Sequence, residues 1–169
     1  LTDVFVIQED IAKAIAGALR VPLGLKAGES LVSDRTSDLE SYQQYLRAKA
    51  LYRGRYIDDA IKILEAAIAR DPNYAPAWGL LADSYQFTIG FGPTVRRGTI
   101  EEARQVAQSS HDKAEKAARE AVRLNAREAG GIRVLASLEL HQGNLAGYDD
   151  RISQGLALDP TDADLLFGR

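Results

Sequence analysis

The 169-residue sequence contains no cysteine and no methionine. Without thiols it can form no disulfide, no thiolate nucleophile and no cysteine-ligated zinc site. The redox compartment stays open, because a cysteine-free chain suits oxidising and reducing surroundings alike. No apolar run approaches the roughly 18–20 residues that span a bilayer, and no secretory leader pattern is present. A chain that begins at Leu1 and lacks methionine reads as an excised fragment, so missing targeting signals say nothing of its parent. Positive charge is also short: the net charge is −3, which argues against a nucleic-acid partner held mainly through phosphates. There are only five prolines, and alanine is abundant, which favours helix. With 46% hydrophobic and 27% charged residues, the chain is globular rather than disordered, of a length that suits one domain.

Catalytic patterns are equally scarce. No G-x-S-x-G, HExxH or P-loop is present, so the expectation is no catalytic residue, no metal and no cofactor. His111 and His141 lie on separate segments and read as solvated or groove-lining rather than as ligands. Asp159, Asp162 and Asp164 lack the spacing and the distal Glu of a calcium loop. Arg119, Arg123 and Arg127 share a helix face with Glu115 and Glu120 nearby, a solvated, pair-laced stripe in preference to an anion site.

What is present is helical periodicity. Residues 1–20 place Val4, Ile7, Ile11, Ile15 and Leu19 on one face of an amphipathic helix. That helix is read as a packing helix, since its polar face lacks the Lys and Arg of a membrane-surface one. Residues 21–38, with Pro22, Gly24 and Gly28, read as a linker. Residues 39–169 then form one helical region.

Its centre is Asp71 to Tyr85, where Asp71-Pro72 stops one helix and Trp78, Leu81, Ala82 and Tyr85 mark the next. This W-x2-L-A-x2-Y spacing resembles the first helix of a tetratricopeptide repeat. The resemblance implies an all-α fold, a right-handed solenoid of helix–turn–helix repeats at about 41–74, 75–128 and 129–162, with a partial unit at 163–169. Small side chains fall where such helices must approach closely: Ala48, Ala60 and Ala67, then Ala114, Ala118 and Ala121. Ala60 to Ala114 spans 54 residues against a period of about 34, so the second repeat carries an insertion of roughly 20. Thr88–Gly98 holds Gly90, Gly92, Pro93 and Gly98 and reads as a loop. Thr99 with Glu102 has capping-box spacing and predicts a long helix from Ile100 to about Leu124.

In tetratricopeptide arrays the first helices line a concave groove that takes ligands. Carried onto this chain, the groove positions of the first repeat are Tyr45, Lys49, Tyr52 and Arg53. Those of the second are Gly79, Asp83, Gln86 and Phe87, and those of the third Arg133, Ser137, Leu140 and His141. The aromatic and cationic mix suits an extended peptide of acidic character. The alternative is that some of these contact the N-terminal helix or the inserted loop. Phe91, Arg96 and Arg97 make a basic, partly apolar loop tip, either a docking element or a disordered segment. The pattern that clamps a chaperone's C-terminal carboxylate is absent: Tyr45, Leu80 and Val134 stand where its Lys, Asn and Arg would be.

Asp3-Val-Phe-Val-Ile-Gln-Glu-Asp-Ile-Ala resembles the helix that closes a TolB-N-terminal-like module, and Ser41-Tyr42-x-x-Tyr45-Leu46-Arg47 with Asp71–Ala77 resembles the repeats that follow it. The arrangement is similar to that of bacterial multidomain signalling proteins of the class III adenylate/guanylate cyclase type, or of membrane-anchored transcriptional regulators. It implies a non-catalytic interaction or regulatory module that binds a protein or peptide, with self-association or contact to other domains of the parent also open. It further implies the bacterial cytoplasm or the periplasmic side of the inner membrane. A small-molecule sensor is the alternative function.

Overall fold

The computed structural model describes residues 36–91, 97–158 and 160. The expected N-terminal helix, residues 21–35 of the linker, positions 92–96 of the loop, Asp159 and the partial unit at 163–169 lie outside the described residues. Among the described residues there are six helices and no strand: α1 Leu39–Arg53, α2 Ile57–Arg70, α3 Ala75–Phe91, α4 Ile100–Leu124, α5 Ala129–His141 and α6 Leu145–Leu158. Each helix packs on the next, and the first helices also touch one another, α1 on α3 and α3 on α5. This is an all-α stack of helix–turn–helix pairs, the fold class expected from the repeat pattern.

The helix boundaries follow from local chemistry. Asp38 caps α1 by accepting the Ser41 N–H at 2.8 Å, and the Arg70 Nε–H donates to the same carboxylate at 2.9 Å. The turns after α1 and α5 share one motif. Tyr56 N–H donates to Leu51 O and Arg55 N–H to Tyr52 O, matched by Asn144 to Glu139 and Gly143 to Leu140. This Schellman pattern needs a left-handed residue just past the helix end. Gly143 supplies it with φ 77°, but in the first repeat the residue is Arg55, at φ 67°. Thr99 forms the expected capping box with Glu102. Asp58 and Asp59 sit in the first turn of α2, where the helix dipole favours them. Asp149 and Asp150 do not do so in α6, which begins four residues earlier at Leu145.

The expected loop at Thr88 begins later than its composition suggests. α3 continues to Phe91, because Thr88 folds its hydroxyl back onto Ser84 O at 3.1 Å and Phe91 stacks on Phe87 with ring centres 4.8 Å apart. Phe91 is therefore a helical residue and not part of a loop tip. The insertion thus lengthens both helices of the second repeat: α3 has 17 residues and α4 has 25.

The core is built of small side chains against a few large ones. Ala48, Ala60, Ala67, Ala82, Ala114, Ala118 and Ala121 have no exposed surface, and Leu64 fills the gap between the first two helices. Leu81 and Tyr85 are buried, whereas Trp78 is only partly buried and donates its indole N–H to Pro72 O at 2.9 Å. The tryptophan thus closes over the helix terminator. Tyr85 donates its hydroxyl to Glu65 at 2.6 Å, tying α3 to α2. Gly131 is needed where α5 crosses α4, since a Cβ there would lie 2.9 Å from Ala118 O.

Candidate binding groove

The faces of α1, α3 and α5 carry the groove residues, and their side chains meet across the helices. At the α1–α3 end, Tyr52 lies edge-on to Phe87 with ring centres 6.3 Å apart, and Phe87 stacks on Phe91. The Arg55 guanidinium sits 4.7 Å over the Phe87 ring, and Lys49 Nζ lies 5.7 Å from the Tyr45 ring. Tyr45 is edge-on to Tyr74 at 5.3 Å. Lys49 is half-buried, and Arg53 and Arg55 are exposed.

At the α3–α5 end the side chains pair with each other. Arg133 donates to Asp83 at 2.5 Å, with only 11% of the Asp83 side chain exposed. Gln86 donates its amide N–H to the Ser137 hydroxyl at 2.9 Å. His141 places Nδ1 2.6 Å from Ser137 O, and its ring is 6.4 Å from that of His111. The two histidines, on α4 and α5, are therefore neighbours, although sequence places them on separate segments. Among the described residues no three His, Asp or Glu side chains gather as metal ligands. Arg97 is exposed at the start of the stretch leading to α4, and Arg96 lies outside the described residues. Leu140 is 44% exposed at the end of α5.

Between these two ends lies a group that the sequence pattern does not single out. Glu128 caps α5, and its carboxylate accepts the Gly131 N–H at 2.7 Å. That carboxylate lies against the backbone of α3 at Gly79, where an added Cβ would collide with it outright. Gly130 is almost as confined, with Asp83 Oδ2, Glu128 Oε2 and Gly79 C all 3.2 Å from a Cβ placed there. Gly79, given a groove position by the repeat pattern, is buried and makes room for the carboxyl that caps α5. Burial pushes the Glu128 carboxyl up to about 7, helped by the nearby Asp83 charge and opposed by the Gly131 and Gly130 N–H groups and by Arg133. Burial and the Glu128 carboxyl likewise raise the Tyr45 phenol to about 12. The only signals of this in the sequence are an unusual Gly-Gly pair opening α5 and a glycine inside α3.

The arginine stripe of α4 is internally neutralised: Arg119 pairs with Glu115 and Arg123 with Glu120, both at 2.6 Å. No helix among the described residues is long and apolar enough to cross a membrane.

The tetratricopeptide repeat family profile matches residues 43–84, which span α1, α2 and most of α3. Among solved structures, the chain is similar to a thermophilic TPR protein from Thermus thermophilus, at 19% identity and a TM-score of 0.43 over 76% of this chain and 79% of that one. No curated protein matches the chain.

Proposed function

We propose that this chain is a non-catalytic interaction module of a larger bacterial signalling protein, and that it takes a peptide or a partner protein on the surface shared by α1, α3 and α5. Tetratricopeptide repeats generally mediate protein–protein interaction, and the matched residues include most of α1 and of α3, two of the three helices that carry that surface. One observation carries the reading. Side chains from three different repeats meet as one continuous face, from Tyr52 against Phe87 to Gln86 against Ser137. The signalling context rests on the resemblance of Asp3–Ala16, Ser41–Arg47 and Asp71–Ala77 to cyclase-type multidomain proteins.

The test is site-specific photo-crosslinking in the native host. A crosslinking amino acid at Tyr52 or Phe87 should trap a discrete protein partner, and the yield should fall when Lys49 and Arg53 are changed to Glu. The same probe at Lys62 or Lys116, both exposed on second helices, should trap none. Crosslinks arising only from the second-helix positions would show that the binding face is elsewhere. A melt shifted by a metabolite without any protein partner would favour the small-molecule sensor instead.

A further inference from the structure

The groove residues divide into those already occupied by one another and those that are not. Asp83, Arg133, Gln86 and Ser137 are joined across α3 and α5. Lys49, Arg53 and Arg55 are different: among the described residues none lies within ion-pair distance of a carboxylate, although 24 acidic residues are present in the chain. Two of the three rest on aromatic rings instead, Lys49 by Tyr45 and Arg55 over Phe87. The aromatic stack itself ends openly, since Phe91 is 61% exposed.

Helix-dipole compensation accounts for Arg53, in the last turn of α1. It does not account for Arg55. That residue occupies a left-handed backbone position, at φ 67°, where the equivalent turn of the third repeat has Gly143. A side chain there crowds its own backbone, a strain that glycine escapes. An arginine kept at that cost, with its guanidinium laid on Phe87, points to use of the side chain.

We infer that Lys49, Arg53 and Arg55, with Tyr52, Phe87 and Phe91, form a cation–aromatic platform for an acidic peptide carrying an aromatic side chain. The inference rests on the groove reading above and adds the place and the ligand chemistry. Carboxylates of the peptide pair with the three cations, which lose little by leaving the rings because such contacts are weak at exposed sites. The peptide's aromatic ring extends the open stack at Phe91, an offset arrangement that is attractive beyond the area it buries. The ligand is a peptide rather than a nucleic acid, because three cations on a chain of net charge −3 give a local patch and not the long basic track that a phosphate backbone requires.

The experiment is fluorescence polarisation with four labelled probes: a peptide alternating Glu with Phe, its Phe→Ala form, its Glu→Gln form and an oligothymidine. The Glu/Phe peptide should bind, and either substituted form should bind about tenfold more weakly. Arg55→Gly relaxes the turn, so it should melt no lower than wild type yet bind about tenfold more weakly, and Phe87→Leu should behave alike in binding. Equal affinity for all three peptides, or tighter binding of oligothymidine, overturns the inference. Binding that survives Arg55→Gly and Phe87→Leu but is lost with Ser137→Trp overturns the platform and leaves the groove standing. Binding indifferent to all three variants removes both.

Discussion

At the scale of single residues, the most informative side chain is Glu128. Its carboxyl is held near 7 by burial, against an ordinary value near 4.5. The folded state therefore holds a proton that the unfolded chain has already released over that interval. Its contribution to stability is fully present below about 4.5 and is lost as pH rises through about 7, by roughly 3 kcal/mol across the window. Carboxylates nearer the surface act in the opposite direction and lower down. Asp38 beside Arg70, Glu102 at Thr99, Glu120 beside Arg123 and Glu139 beside Asn144 are all held below their usual range. Their stabilisation is lost only on acidification. Between about pH 5.5 and 8 the melting temperature should thus decline in the wild type. Glu128→Gln, which keeps an acceptor for the Gly131 N–H, should flatten that decline and melt higher at about pH 8. A thermal melt series checks both, and an unchanged slope in the variant would place the titration elsewhere. None of this is legible from sequence. Glu128 is an ordinary residue there, and its burial comes from Gly79, a full repeat upstream. The same distance hides the pairing of Asp83 with Arg133, which are 50 residues apart. The repeat pattern places both on the groove face but cannot show that they neutralise each other.

At the scale of elements, caps and terminators are readable because their chemistry is local. The Thr99–Glu102 box is complete, with Thr99 N–H donating to Glu102 at 2.8 Å and Glu102 N–H to Thr99 at 3.2 Å. Thr99→Ala should destabilise by about 1 kcal/mol, measured by denaturant unfolding. No loss would mean that the end of α4 frays without cost. The C-terminal end of α3 departs from the sequence expectation for a physical reason. Thr88 and Gly90 have poor helix propensity, and propensity counts only what a residue does alone. The Thr88 hydroxyl bond to Ser84 and the Phe87–Phe91 stack outweigh it once α4 lies alongside. Arg55 is the converse case: a turn is legible from Gly54-Arg55, but glycine itself adopts an ordinary φ and the arginine takes the left-handed one.

At the scale of the whole molecule, stability comes from repeat stacked on repeat, so a fault at one interface is felt on both sides of it. Ala82 is fully buried in the core joining α1 through α5. Ala82→Leu adds volume where backbones are closest and should cost about 1–3 kcal/mol, read by thermal or denaturant melts. A melt unchanged from wild type would be incompatible with that contact.

The sequence by itself determined the fold class, because a solenoid is specified by a short pattern repeated: small residues at helix crossings, Asp-Pro stops, and one consensus helix from Trp78 to Tyr85. Each of those signals acts within one repeat, over distances that a linear reading can span. Tertiary structure alone decided which groove side chains are occupied, since their partners come from neighbouring repeats through close approaches that only glycine permits. It buried Glu128 against Gly79, joined Asp83 to Arg133, laid Lys49 by Tyr45 and set Arg55 on an aromatic stack that ends at the exposed Phe91.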